Sequence, residues 1–482
     1  MQLTQARRPR VQKTLRQPVG VCLLDALADV RVFGDRSVHA ESCTTDATDT
    51  RPGDVYFALD SCVEDPTAAV KLAVQCGAKA VVTDQYLPVF EVPQFVVPDA
   101  RVAYGEFCQR LVGDPSRSLT VAGIAGAHGK STVGRLLARI QRHAGARCGC
   151  LIDNLEFNGA AALETHLPAP GAARLARWLG DCEAEGCGSA VLELSPRSLR
   201  QHSHAGIRLG VLCLTNQTFD RSGGRSPEEE RLLAAALVED LPPFATLVAN
   251  ANDPHCLKLL AGRDGLCVTY GLDKPADVQG TVVECGAGGQ VMMVSIGADT
   301  AAVNLPISGD SFALDYLAAI ATAHAMGVSL HDAASGVESV AKLPGVMQGS
   351  PCGQSFPVLI DQGASAERVR ASLNSARSMT TGRVIAVLAE NPPLSVCSVA
   401  TALGDLVICP RDGEPVETGP QTKHVEDRFS AVALALALAE PGDTVVLTGS
   451  PKPPACRRAE EGLVRQLLEL RLSNTREPVT MP

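Results

Sequence analysis

The 482-residue chain is 45% apolar and 20% charged, the make-up of a soluble globular protein with room for about three domains. Its net charge of −10 argues against nucleic acid as the main partner, because phosphate backbones demand clustered Lys and Arg. No apolar run reaches the roughly 18 residues of a membrane-spanning helix, and the 17 cysteines lack paired C-x-x-C zinc spacing, so they read as reduced core residues of a cytoplasmic protein with no membrane insertion.

The first 17 residues hold five basic residues and no acid, and read as a solvated arm. Behind them, "GDVYFAL", "KAVVTD" and "PQFVVPD" predict short strands, and "DPTAAVKLAVQCGA" predicts a helix with a glycine near its end. The helical "YGEFCQRLVGDPSRS" closes in a Pro/Ser/Arg junction, which sets a first α/β domain at residues 1–117. The next unit opens on the strand, loop and helix of "VAGIAGAHGKSTVGRLLARI". Strands at "SAVLELS", "LGVLCLTN" and "ATLVANAND" follow, suited to a parallel sheet covered on both faces. "GDSFALDYLAAIATAHAMG" predicts a helix stopped by Gly327, and Pro344-Gly345 ends this domain at residue 343. From 344 to 482, "FPVLIDQG", a helix from about Ala366, "GRVIAVLAE", "DLVICP", a helix near Phe429–Ala439 and "DTVVLTGS" alternate as in a Rossmann-like unit with a frayed last ten residues. The predicted architecture is α/β in three domains, a central P-loop ATPase-like parallel sheet flanked by the other two.

The loop carries glycines at 123, 126 and 129, followed by Lys130, Ser131 and Thr132. Glycines let backbone N–H groups curl round phosphate oxygens, and the helix start adds positive charge. Lys130 is then the candidate for the β/γ phosphates and the Ser131 hydroxyl for Mg²⁺. Gly126, Ala127 and Gly129 complete the cradle, and His128, inside the loop, either touches phosphate or faces solvent. Glu193, at the end of "VLELSP", is a candidate second ligand for Mg²⁺, or a strand-end acid paired with Arg197. Asn216 and Asp220 either face the nucleotide or cap a turn. His202 and His204 lack a third ligand nearby and read as surface histidines.

Taken in order, these motifs resemble those of the Mur ligases, ATP-dependent amino-acid ligases of peptidoglycan precursor synthesis, most of all the tripeptide-synthetase branch. "TDATDTRPGDVYFAL" resembles its uridine-nucleotide motif and "GIAGAHGKST" its G-x-x-G-T-[NH]-G-K-[ST] loop. "LELSPRSL", "LCLTNQTFD", "VANANDP", "LPGVMQG" and "EDRFSAVALALALAEPGDTVVLTG" follow in the family's order. The resemblance implies an acyl-phosphate reaction: ATP phosphorylates a carboxylate of a UDP-muramyl-type substrate, and an amino-acid amine displaces the phosphate. It implies that Gly126, Gly129 and Lys130 hold phosphates, that Ser131 and Glu193 hold Mg²⁺, that Asn216 lies on the nucleotide side, and that Lys130 and Glu193 are catalytic.

The chain departs from the pattern where cations and donors are expected. Arg221 stands after Asp220 in place of a metal-binding histidine, and the place of a carbamylated lysine falls near Ala235. The adenine-side F-N-x-x-N reads "SFALD", ending at Asp315. The hinge arginine is Val346, and D-Y-A-H-T-P reads Asp361 to Ala366. The muropeptide T-T-P reads His166-Leu167-Pro168, the uridine-side D-S-R reads Asp46-Ala47-Thr48, and the closing G-K-G-H-E reads "GSPKP". Three readings follow: a divergent active ligase with substitute residues, a nucleotide-binding homologue with a regulatory or scaffolding role, or an unrelated P-loop kinase.

Overall fold

The structure is a computed structural model, and it describes residues 11–12, 20–59, 65–89, 91–153, 155–163, 170–217, 226–286, 289–340, 342–350, 352–411, 421–449 and 454–475. Asp220, Arg221, His166 to Pro168 and most of the "GSPKP" stretch lie outside these residues. Three large sheets organise the chain. In the first, Ser42–Thr44, Val55–Phe57, Ala80–Thr83 and Gln94–Val96 run parallel, with Arg31–Phe33 antiparallel at one edge. Asp46 is spent on a local turn, accepting from the Thr48 N–H at 3.0 Å and the Thr48 hydroxyl at 2.7 Å.

The second sheet is mixed rather than wholly parallel. Its centre is parallel from Cys148–Ile152 through Ser189–Leu194, Thr120–Ala125, Leu209–Leu214, Thr246–Asn250 and Cys267–Leu272 to Val278–Gly286. Antiparallel strands extend both margins: Leu155–Phe157 and Ala162–Leu163 at one, Gly289–Ile296 and Asp299–Leu305 at the other. The last pair is closed by the two-residue turn Gly297-Ala298, where Gly297 takes φ +58°, a geometry suited to hairpins. Its alternating residues leave one face to water, which a parallel interior does not permit.

Two long helices, with the shorter Leu330–Glu338 beside them, cover one face of this sheet. Lys130–His143 buries Val133, Leu136, Leu137 and Ile140. Asp310–Ala325 is buried from Phe312 to Ala323 except at Leu314, and its alanines let it lie close against the strands and the first helix. The third sheet is parallel from Val358–Ile360 through Thr444–Leu447, Val384–Val387 and Leu406–Pro410 to Thr422–Val425. Helices Leu394–Leu403 and Pro454–Thr475 were not expected, and the second replaces the start of the expected frayed end. Among the described residues no helix is long and apolar enough to cross a membrane.

Candidate functional site

The strand Thr120–Ala125 lies between Ser189–Leu194 and Leu209–Leu214, so the loop after it emerges where the strand order switches, the usual crevice for ligands in such sheets. Gly126 turns the chain at φ +136°. A Cβ there would stand 2.2 Å from the Thr215 Oγ1 and 2.7 Å from the Asn216 carbonyl oxygen. Gly129 sits at φ +79°, where a Cβ would meet Asp315 Oδ1 at 2.0 Å. Only glycine suits either place. The helix then starts at Lys130 with no side-chain cap, so its first-turn N–H groups are presented to the crevice.

The neighbouring strand end braces the loop. Asn216 accepts the His128 N–H on Oδ1 and donates from Nδ2 to the His128 carbonyl, each at 3.1 Å, while its own carbonyl accepts from Ala127 N–H at 3.1 Å. The Thr215 hydroxyl donates to the same His128 carbonyl at 2.6 Å. Asn216 is thus a strut for the loop. Lys130 folds back, donating to the carbonyls of Gly126 at 2.9 Å and Ala127 at 3.1 Å. Thr132 is buried behind them.

Ser131 and Glu193 meet: the hydroxyl donates to Glu193 Oε2 at 2.7 Å, and Asp153 N–H reaches the same oxygen at 2.9 Å. Arg197 is exposed and is not the partner of Glu193. His204 is half-buried rather than on the surface, and burial lowers its pKa to about 4. Among the described residues no cluster of His, Cys, Asp or Glu could hold a metal by itself.

Behind the loop lies a charge cluster that the sequence did not disclose. Asp315 is buried beneath Gly129, and its Oδ2 has no hydrogen-bond partner among the described residues. Burial raises its carboxyl pKa to about 7, against the opposing pull of Arg368 and Lys130. Arg368 comes from the helix Ala366–Met379 of the third unit. It grips the fully buried Asp361 through Nε at 3.2 Å and through Nη2 at 3.1 Å, and its guanidinium lies 4.6 Å over the Phe312 ring. Ser365 Oγ lies 3.5 Å from His128 Nδ1. A cation therefore does stand near Ser365, engaged with acids. Near Ala235 the closest counterpart on the helix Pro227–Glu239 is Arg231, one turn earlier, which donates to the Gln217 carbonyl at 3.3 Å. A cavity of about 750 Å³ lies at the hinge, lined by Ile307, Leu343, Val346 and Phe356 and by none of the loop residues.

Three sheets with their helices, a braced glycine loop at the switch point of the middle one and a doubly wound unit seated against it define a multidomain α/β protein of P-loop type. Residues 124–323 match the Mur ligase middle domain, and residues 347–451 the Mur ligase glutamate ligase domain. The UDP-N-acetylmuramoyl-L-alanyl-D-glutamate–2,6-diaminopimelate ligase of Listeria innocua is 24% identical over 440 residues, covering 86% of this chain and 89% of its own. A solved structure of a ligase with that name superposes with a TM-score of 0.69 at 19% identity, over 92% of this chain and 99% of its own. The MurF ligase of Thermotoga maritima, solved in complex with ADP, gives a TM-score of 0.60 at 17% identity, over 90% of this chain and 98% of its own. The chain belongs to the Mur ligase family.

Proposed function

We propose that this protein is a Mur-ligase-type ATP-dependent amide ligase homologue of peptidoglycan precursor synthesis, joining an amino acid to a UDP-muramyl-type carboxylate through an acyl phosphate. The observation that carries the reading is the Ser131–Glu193 pair next to Lys130 at the mouth of a braced glycine loop. Two ligands at right angles on octahedral Mg²⁺ lie about 2.9 Å apart, and the Ser131 and Glu193 oxygens, at 2.7 Å, fit that spacing. When bound, Mg²⁺ would supply charge neutralisation at phosphoryl oxygens. Lys130 would exchange its two carbonyls for phosphate, while the backbone N–H groups of Gly129 to Thr132 orient the polyphosphate. Calorimetry with ATP and Mg²⁺, followed by phosphate release with a panel of UDP-muramyl acceptors and amino acids, tests the reading. Absence of ATP binding would remove it.

The second reading, nucleotide binding without efficient ligation, in a regulatory or scaffolding role, is favoured by one observation. The helix Pro227–Glu239 offers Ala235 where the family places a lysine, and its first turn carries Glu228, Glu229 and Glu230. Acyl-phosphate formation needs cations around the developing charge, and losing one such donor costs roughly a hundredfold or more in rate. On this second reading, the expected result is ATP binding with phosphate release at background when acceptor and amino acid are present. Turnover on the order of 1 s⁻¹ would decide for an active ligase with substitute residues.

A further inference from the structure

The helix that starts at Lys130 continues for 14 residues, KSTVGRLLARIQRH, and contains four Lys or Arg and no acid. Across a chain with 53 acidic and 43 basic residues this is an unusual local balance. Arg135, Arg139 and Arg142 fall at i, i+4 and i+7, on one face. Like charges at such spacing repel, and a merely solvated helix intersperses glutamates to relieve them. Here nothing on the helix does.

That face is one wall of a cleft of about 350 Å³. The floor includes Leu155, Phe157 and the buried Cys150, and the opposite wall is Ser339, Val340 and Lys342. Among the described residues no acid lines it. Two of the guanidiniums are held in place by neutral groups: Arg139 Nε donates to Ser339 Oγ at 2.8 Å, and the Arg142 guanidinium lies 5.3 Å from the Phe157 ring centre. Arg139, Arg142 and Lys342 form no ion pair among the described residues. The cleft thus combines fixed positive charge with a partly exposed apolar floor. Arg135 to Arg142 spans about 10 Å of helix at 1.5 Å per residue. The volume is at the lower end of the usual range for small-ligand sites.

We propose that this cleft is a second ligand site, separate from the glycine loop, which takes a small organic polyanion. Its phosphate or carboxylate groups would meet Arg139, Arg142 and Lys342, and its apolar or planar part would lie on Leu155 and Phe157. Guanidinium forks match phosphate and carboxylate oxygens in pairs, and Arg139 and Arg142 meet no acid among the described residues of the cleft. The occupant would touch the loop helix, the hairpin Leu155–Leu163 and the segment just before the Pro344 hinge at once.

The test uses the full chain carrying Lys130→Ala, so that the glycine loop does not report. Inorganic tripolyphosphate probes charge alone, and 1-naphthyl phosphate probes charge with a planar group. Calorimetry should give one saturable site for naphthyl phosphate, weakening as salt rises because exposed charges are screened. Arg139→Glu with Arg142→Glu should weaken it by about tenfold or more, and the milder Arg139→Gln with Arg142→Gln should do so in part. Both positions are exposed, so cooperative thermal unfolding should be kept. Hydrogen exchange should slow in 155–163 and 339–342 when the probe is bound. No saturation by either probe, or an affinity unmoved by charge reversal, overturns the proposal. The result is independent of whether the unmodified chain binds ATP at the loop.

Discussion

Replacing Asp315 by asparagine tests the buried carboxyl beneath the glycine loop. In the unfolded chain this acid ionises near 3.8; in the fold, burial lifts it to about 7. A folded-state pKa above the unfolded value means that the native protein binds the extra proton between those limits. Stability is then greatest at low pH and is lost as pH rises through that window. From pH 5 to pH 8.5 about two pKa units of that loss remain, close to 3 kcal/mol at about 1.4 kcal/mol per unit. The amide of Asp315→Asn would keep the shape under Gly129 without titrating. The stability difference between variant and parent should therefore shift in favour of the variant by about 3 kcal/mol between pH 5 and pH 8.5. For a unit of this size that is roughly 6–12 °C in melting temperature. Thermal unfolding of both proteins at the two pH values gives the double difference, in which all other titrating groups cancel. Parallel pH profiles for parent and variant would show that Asp315 is not held neutral by burial.

Lys130→Ala should weaken ATP binding in calorimetry while leaving the melting temperature within a few degrees; unchanged affinity would remove its phosphate role. Gly129→Ala should destabilise the protein by more than the roughly 1 kcal/mol usual for an exposed Gly-to-Ala change in a left-handed position, because the new methyl meets Asp315 as well as adverse φ; denaturant unfolding measures it. Glu193→Gln should abolish the Mg²⁺ enhancement of ATP binding, read by titration with and without the ion, and an intact enhancement would exclude Glu193 as a ligand. We propose that the domain junctions lie near Ser118 and Pro344, where limited proteolysis should cut first; early cleavage within 190–216 would count against them.

The glycine loop is legible in the sequence because its chemistry is local: strand, glycines, Lys130 and Ser131 are contiguous. Glu193 is legible as a strand-end acid, and pairing it with Ser131 needs only that two strands be parallel neighbours. The Asp315–Arg368–Asp361 cluster is not, because its members come from two units and meet only after those units dock. In sequence Asp315 reads as a lost adenine-side asparagine, whereas its position under Gly129 depends on how one helix crosses another. The antiparallel edge of the middle sheet departs from the parallel expectation: the run Val291–Val294 is apolar throughout and reads like a buried strand, and only Gly297 between the two strands marks the hairpin. The helix Pro454–Thr475 is likewise marked by Leu, Glu and Arg at helical spacing.

The struts from Thr215 and Asn216 bear on the thermodynamics of filling the loop. Because the cradle is held from a neighbouring strand, a polyphosphate bound as proposed would meet amides already in place, and little backbone freedom would be left to lose on binding. The main rearrangement would then be a single side chain, Lys130, leaving its two carbonyls for the phosphate. Association at the loop should therefore carry a small entropic penalty and an enthalpy set by that one exchange, with an encounter rate limited by access to the crevice rather than by loop folding.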